Sequence, residues 1–201
     1  KLYVNRDEGF IGTSMRKDEY VCDCSDIDDI IVFRENGSMK VVKVESKVFI
    51  GKGIIHAAVF KKKDSRTIYN MVYVDGKSGY SMMKRFNVSS ITRNRDYFLT
   101  KSEKNSKIIY FTANPNGEAE TITVHLRKNQ RLKILKFDYD FADLSIKGKG
   151  SVGNILTKNT VKKIELRSEG VSTLSARKIW FDQNVKRLNT EERGVLLGDF
   201  A

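Results

Sequence analysis

The sequence predicts an all-β protein, built as a propeller-like array of about four to five blades. Apolar runs rich in β-branched and aromatic residues, bounded by Gly, Asn, Asp or Ser, recur along the chain, whereas helix signals are scarce. These runs form strand–turn–strand patterns that repeat at about 40 residues, a period typical of blade arrays. No low-complexity linker or break in composition divides the chain. We therefore expect residues 1–201 to form a single domain.

Several short segments carry the strand signal. The sequence predicts strands at residues 30–33, 68–74, 108–112, 121–126 and 132–137. Residues 120–127 alternate cleanly between apolar and polar positions, which predicts a half-buried strand. Its predicted inner face holds Glu120, Ile122, Val124 and Leu126, and its outer face holds Thr121, Thr123, His125 and Arg127.

Glycine-containing turns join these strands into predicted hairpins. The hairpins cover residues 30–44 around Gly37, 68–86 around Gly76 and Gly79, 108–126 around Gly117, and 179–188 around Gln183 and Asn184. Asn36-Gly37 predicts a type I′ turn, which needs a positive φ at both central residues. Pro115, within the Asn-Pro-Asn-Gly stretch at 114–117, is a strong turn signal.

A second repeat involves the sequence Gly-Lys-Gly, which occurs at residues 51–53 and 148–150 after strand-like runs. In a blade array, these two segments would be equivalent loops between blades. The alternative is chance recurrence in a chain rich in glycine and lysine.

The charge balance indicates a polyanionic partner. The chain has 37 Lys and Arg residues against 25 Asp and Glu, a formal net charge of +12. Nucleic acid or an anionic membrane surface would complement such a charge. The alternative is that the charge is incidental. No apolar run reaches membrane-spanning length and no signal peptide is visible, so we expect a cytoplasmic protein with no membrane partner.

Catalytic and metal-binding motifs are poorly supported. The only candidate zinc ligands among cysteines and histidines are Cys22, Cys24, His56 and His125, and they lack the Cys-x-x-Cys and His-x-x-x-His spacings typical of a zinc site. We expect free thiols in a reducing cytosol. Asp138 and Asp140 form an isolated pair, typical of a solvated loop, and neither a Gly-x-Ser-x-Gly nor a phosphate-loop motif is present. We therefore predict that the chain neither cleaves DNA nor hydrolyses ATP, and holds no metal or cofactor.

Three segments carry a family resemblance. The first is Gly-Phe-Ile-Gly-Thr at residues 9–13, and the second is a hairpin at residues 28–37 that begins Asp-Asp-Ile-Ile-Val-Phe and ends in Asn-Gly. The third, at residues 148–164, runs from Gly-Lys-Gly-Ser-Val-Gly-Asn through Leu-Thr-Lys to Val-Lys-Lys-Ile. These segments resemble motifs of the C-terminal domains of bacterial gyrase and topoisomerase IV A subunits. The resemblance implies a β-pinwheel, a disc whose blades exchange strands and whose basic rim binds and bends duplex DNA.

The resemblance also implies partners. These are double-stranded DNA, the rest of the DNA-cleaving A subunit, and the ATPase B subunit, in the bacterial nucleoid. The chain would be a C-terminal fragment of an ATP-dependent type II topoisomerase. The strand-cleaving tyrosine and the use of ATP and Mg²⁺ would then belong to the enzyme outside this chain.

One departure separates the two enzyme types. Gyrase has a basic box, Gln-Arg-Arg-Gly-Gly-Arg-Gly, after its first blade segment, whereas residues 21–27 of this chain contain no basic residue. The sequence therefore favours the topoisomerase IV kind, which relaxes and decatenates DNA. A gyrase-type wrapping domain and a propeller that acts as a protein–protein interaction scaffold remain the alternatives.

The candidate DNA-binding residues are cations on predicted outer strands and loops, where they would form a track for phosphates. They are Lys40, Lys43, Lys52, Lys61, Lys62, Lys63, Lys84, Arg85, Arg93, Arg95, Arg127, Lys128, Arg131, Lys133, Lys147, Lys149, Lys158, Lys162, Lys163, Arg177, Lys178, Lys186 and Arg187.

Overall fold

The computed structural model describes residues 1–130, 132–190 and 194–200, with the side chains of all of these except Arg177 and Phe200. The described elements are nineteen strands in five sheets and one short 3₁₀ helix, Phe141–Asp143. The predicted all-β class and the predicted number of blades are confirmed. No helix within the described ranges is long and apolar enough to cross a membrane.

Three sheets come from the first part of the chain. The first contains β1 (Leu2–Asn5), β2 (Phe10–Gly12), β3 (Glu19–Cys22) and β6 (Val48–Phe49), in the order β3-β1-β2-β6. The second contains β4 (Asp29–Arg34), β5 (Ser38–Lys43), β7 (Ile54–Phe60) and β10 (Tyr97–Phe98), in the order β10-β5-β4-β7. The third contains β8 (Ile68–Val74), β9 (Ser81–Asn87), β11 (Lys107–Asn114), β14 (Ile146–Gly148) and β15 (Asn154–Thr157), in the order β11-β8-β9-β14 with β15 also on β9.

Two smaller sheets follow. The fourth contains β12 (Glu118–Leu126), β13 (Lys136–Asp140) and β16 (Val161–Ser172), in the order β13-β12-β16. The fifth contains β17 (Arg177–Asp182), β18 (Arg187–Asn189) and β19 (Val195–Phe200), in the order β18-β17-β19.

The sheets exchange strands in a regular way. In the second, third and fourth sheets, the chain returns to the preceding sheet after the first two paired strands and then closes its own sheet. Strand β6 follows the β4–β5 hairpin but pairs with β2, β10 follows β8–β9 but pairs with β5, and β14 follows β12–β13 but pairs with β9. This exchange links the first four sheets in series, as the pinwheel resemblance implies. The predicted equivalence of the two Gly-Lys-Gly segments is wrong: residues 51–53 connect β6 of the first sheet to β7 of the second, whereas Gly148 ends β14 and residues 149–150 lead to β15 of the same sheet.

Three of the four predicted hairpins are confirmed, and one is wrong. Strand pairs β4–β5, β8–β9 and β17–β18 are antiparallel hairpins. The predicted hairpin at residues 108–126 is not one, because β11 pairs with β8 and β12 pairs with β13 and β16. The turn at Gly117 is present, with its N–H bonded to the Asn114 carbonyl at 3.1 Å, but it connects two different sheets.

The turn at Gly37 also differs from its predicted type. Gly37 has a φ of 82°, whereas Asn36 is not among the described non-glycine residues with a positive φ. The Gly37 N–H donates to the Arg34 carbonyl at 3.0 Å. The hairpin loop is therefore a turn that ends in a left-handed glycine, the arrangement found in longer hairpin loops, and not a type I′ turn.

Burial on two faces explains the continuous apolar run in β4. Ile30 and Val32 pack in a cluster with residues of the first sheet, while Ile31 and Phe33 pack in a cluster with residues of the third. A strand buried on both faces shows no polar alternation. Each such fully buried side chain contributes about 1.5–3 kcal/mol of hydrophobic stabilisation.

Strand β12 alternates because its two faces differ in burial. Ile122, Val124 and Leu126 pack in a third cluster with Val72 of the third sheet, and Glu120 lies on the same buried face. The predicted half-buried strand is confirmed. The strand predicted at residues 132–137 is wrong in its bounds, because pairing with β12 begins only at Lys136 and continues to Asp140.

The burial of His56, on β7, is expected to make the fold less stable in acid. Its ring lies 5.6 Å from that of Phe111 and 5.9 Å from that of Phe33. Burial first, and then the charge of Arg6, lower the pKa of His56 from 6.5 to about 4. Between these two values the unfolded chain binds a proton that the folded chain does not, so stability is lost as pH falls from 6.5 towards 4, by about 3 kcal/mol at most.

The variant His56→Phe is expected to lose less stability than the wild type over this pH range. Urea unfolding of both proteins at several pH values measures the difference, since the two proteins differ only at residue 56. If the free energy of unfolding fell equally with pH in the two proteins, His56 would not be the source of the acid sensitivity.

Candidate nucleic-acid interface

The densest group of predicted cations lies on the fourth sheet. Antiparallel pairing brings the end of β12 beside the starts of β13 and β16. The result is a groove of about 520 Å³, here called the basic groove. Its lining residues are His125, Leu126, Arg127, Lys128, Leu135, Lys136, Lys162 and Lys163. Five of these are cations and none of those described is a carboxylate, so the groove presents a concentrated positive field.

Most of these cations have no acidic partner. The Lys163 ammonium lies 2.7 Å from a carboxylate oxygen of Glu165 and holds the pKa of that carboxyl below its usual value. Over the described ranges, the other four cations of the basic groove make no ion pair; they are Arg127, Lys128, Lys136 and Lys162. Their unpaired charge favours an external anion.

A second groove, of about 310 Å³, shares Lys162 and Lys163 with the basic groove. It adds Lys107, whose ammonium lies 2.9 Å from a Glu35 carboxylate oxygen. Because Glu35 also lines this groove and pairs with Lys107, the second groove adds no unpaired cation to the basic groove.

The loop between β7 and β8 forms a separate basic site. Lys61, Lys62 and Lys63 are exposed and line a groove of about 730 Å³ together with Arg66. Arg66 is buried and donates a 3.1 Å hydrogen bond to the Ser175 carbonyl. The hydrogen bond of Arg66 therefore joins this loop to the segment before the fifth sheet. The three lysine side chains of the loop remain exposed.

A third group surrounds an aromatic ring. The Arg95 guanidinium and the Lys149 ammonium each lie 5.4 Å from the centre of the Tyr97 ring. Lys149 also donates to the Ser90 carbonyl at 2.8 Å. Cations held over an aromatic face are pre-ordered for contact with a phosphate.

Two predicted cations are not at the surface, and their assignment to the interface is corrected. Lys84 and Arg85, on β9, are each 2% exposed. Lys84 donates to three backbone carbonyls, and Arg85 donates to the Gly117 carbonyl at 2.6 Å and to the Asn70 side chain at 3.2 Å. Strand β9 lies inside a sheet that is covered on both faces, so its cations point into the protein.

The remaining predicted cations differ in their partners. Lys40 lies 3.0 Å from an Asp96 carboxylate oxygen, and Arg93 lies 2.6 Å from one of Asp29, so both are partly neutralised. Arg131 lies outside the described residues, as does the side chain of Arg177. The other candidates are exposed; they are Lys43, Lys52, Lys133, Lys147, Lys158, Lys178, Lys186 and Arg187.

The first sheet carries an acidic edge. Asp23 and Asp26 are exposed in the segment between β3 and β4. Cys22 and Cys24, in the same region, are free thiols, and burial raises the pKa of Cys22. Within residues 1–130, 132–190 and 194–200, no three His, Cys, Asp or Glu side chains gather in a way that could hold a metal ion.

Sequence reasoning missed three cations that belong to these grooves, namely Lys136, Lys107 and Arg66. Lys136 has a detectable signal, because it follows the predicted cation Lys133 at the edge of the next strand. Lys107 and Arg66 are single cations at strand starts, and only the tertiary fold reveals their neighbours.

Comparison with known proteins identifies the family. Residues 1–169 match the family described as topoisomerase C-terminal domain, Bacteroidota. The chain belongs to this family of topoisomerase C-terminal domains. The match ends within β16, so the fifth sheet lies beyond it.

A sequence relative and a solved structure agree with this assignment. The chain is 29% identical over 169 residues to the A subunit of DNA topoisomerase 4 from Borreliella burgdorferi, a match that covers 83% of this chain and 25% of that protein. The chain thus spans about a quarter of this relative. A crystal structure of the C-terminal domain of DNA topoisomerase IV matches with a TM-score of 0.55 and 11% identity, over 90% of this chain and 64% of that one. The β-pinwheel fold of the topoisomerase domain is confirmed.

Proposed function

We propose that this domain binds duplex DNA with little regard to sequence and bends it along its basic surface. It would thereby present a DNA segment to the strand-passage core of a type II topoisomerase of the topoisomerase IV kind. The observation that carries the proposal is the basic groove, with four unpaired cations and no carboxylate among its described lining residues. Recognition would rest on phosphate contacts and DNA deformability, because the described fold offers no recognition helix.

The partners of the domain follow from this proposal. They are double-stranded DNA, the remainder of the DNA-cleaving A subunit, and the ATPase B subunit, in the bacterial cytoplasm. The cleavage tyrosine and the use of ATP and Mg²⁺ would belong to those other parts of the enzyme.

A second candidate function is a scaffold for protein contacts. Exposed apolar side chains on β16 and the fifth sheet favour it, among them Val171, Leu188 and Leu197. An anisotropy titration of labelled duplexes of unrelated sequence at low salt separates the two. DNA binding predicts similar, tight affinities for all the duplexes, whereas the scaffold alone predicts no binding.

Topology distinguishes the topoisomerase IV kind from a gyrase-type wrapping domain. Bending a 20–30 bp site by 40–90° costs about 1–6 kcal/mol, and a full wrap requires several such bends offset by cations along the whole path. The acidic edge at Asp23 and Asp26 interrupts that path beside the first sheet.

We expect the chain to bend DNA but to constrain little writhe. Plasmid relaxed by a nicking-closing enzyme in its presence should show only a small shift in linking number. A large positive shift that grows with protein concentration would assign the domain to the gyrase kind.

A further inference from the structure

Lys84 occupies an unusual position for a lysine. It lies in the middle of β9 and is 2% exposed. Its ammonium donates hydrogen bonds to the carbonyls of Leu99 at 2.8 Å, Lys149 at 2.8 Å and Ser151 at 2.7 Å. All three donors of the ammonium are therefore used. Burial lowers the pKa of Lys84 to about 7, and the three carbonyl oxygens oppose that shift because they stabilise the charged form.

Tyr73, on the neighbouring strand β8, contacts the same two loops. Its hydroxyl donates to the Val152 carbonyl at 2.7 Å and accepts from the Lys101 N–H at 3.2 Å. Lys84 pairs with Met71 across the sheet, and Met71 and Tyr73 are two residues apart. Lys84 and Tyr73 therefore project from the same face.

The two loops held in this way carry exposed cations. Residues 99–101 end in Lys101, and residues 147–152 contain Lys147 and Lys149, of which Lys101 and Lys147 are exposed. We call residues 99–101 and 147–152 the pinned loops. Lys147 lies in β14, where it pairs with Phe86 of β9. Beyond this strand, the hydrogen bonds of Lys84 and Tyr73 join residues 149–152 to residues 99–101 on the third sheet. A ligand that binds a pre-ordered loop does not bear the entropy cost of ordering it.

We propose that Lys84 and Tyr73 are positioning residues for DNA binding: they hold the pinned loops so that Lys101 and Lys147 contact the phosphates of one duplex together. This inference rests on the proposed DNA-binding function. Neither Lys84 nor Tyr73 touches DNA itself; both act through the loop cations.

A cycle of variants tests the proposal through the salt dependence of duplex affinity. The salt slope is the steepness with which the logarithm of the binding constant falls against the logarithm of the salt concentration. The double variant Lys101→Ala/Lys147→Ala should lower this slope by about 2, and should lower the affinity at about 0.1 M salt by about tenfold per lost contact. Lys84→Met should lower the slope by about 1–2. Adding Lys84→Met to the double variant should cause almost no further loss, because the residue acts through those cations.

Two controls separate positioning from general destabilisation. Ile122→Val weakens the core of the fourth sheet and should leave the salt slope unchanged, whereas amide exchange in the pinned loops should rise in Lys84→Met only. Tyr73→Phe removes a single hydroxyl and should lower the slope in the same direction as Lys84→Met; it carries the test if Lys84→Met does not fold.

Additive losses in the combined variant, or an unchanged slope in folded Lys84→Met or in Tyr73→Phe, would overturn the inference and leave the proposed function standing. A wild-type chain that does not bind duplex at low salt would overturn both.

Discussion

The affinity of the chain for duplex DNA is expected to fall about 10³- to 10⁵-fold between roughly 50 and 200 mM salt, as for proteins that contact about six to ten phosphates. The structure offers that number of cations in its two main basic sites. The basic groove contributes Arg127, Lys128, Lys136 and Lys162, and the β7–β8 loop contributes Lys61, Lys62 and Lys63. Each cation that neutralises a phosphate releases counterions, and that release is less favourable at higher salt.

Fluorescence anisotropy at several salt concentrations measures this dependence. Thermal unfolding over the same range is the control, since the fold is expected to persist throughout. An affinity that stays flat between the two salt concentrations would eliminate phosphate contact as the basis of binding.

Removal of the Glu120 carboxylate is expected to cost about 3–5 kcal/mol of stability, the range for breaking a buried charged network by removing one partner. Glu120 is 4% exposed and accepts hydrogen bonds from Asn70 at 2.6 Å, from Tyr110 at 3.1 Å and from Thr112. The Asn70 side chain also accepts a bond from Arg85. The network therefore joins the third sheet to the fourth where the chain passes from one to the other.

Urea unfolding of Glu120→Ala measures the loss. In that variant Asn70, Tyr110 and Thr112 lose a buried acceptor, and the nearby Arg85 charge loses its counter-charge. Glu120→Gln keeps the shape and an acceptor and should cost less, about 1–2 kcal/mol. Glu169→Ala, at an exposed position of β16, is the matched control and should change stability by less than about 0.5 kcal/mol. A loss below about 1 kcal/mol in Glu120→Ala would mean that the network does not stabilise the fold.

Local pattern was sufficient to predict individual strands, but not their partners. Alternation placed Glu120 on the buried face of β12, because that property depends only on neighbouring residues. The hydrogen-bond partners of Glu120 could not be predicted, since Asn70 lies 50 residues away. For the same reason the strands on either side of Gly117 were assigned to one hairpin, although the chain crosses there from one sheet to another.

The candidate site shows a similar limit. Four of the five cations of the basic groove were predicted from two basic segments, and the fold then brought these segments together with Lys136. Lys84 and Arg85 misled the prediction because a basic pair within an apolar strand gives no local sign of burial. Their partners are backbone carbonyls and an asparagine, which no charge pattern reveals.

The most direct test of DNA binding through the basic groove compares two variants with the same change in net charge. One carries Arg127→Gln, Lys128→Gln, Lys136→Gln and Lys162→Gln. The other carries Arg16→Gln, Lys17→Gln, Lys47→Gln and Lys77→Gln at exposed positions outside the proposed interface. The salt slope of duplex affinity should fall by about 4 in the groove variant and by less than about 1 in the control. Equal losses in the two variants would show that net charge alone, and not the basic groove, holds the DNA.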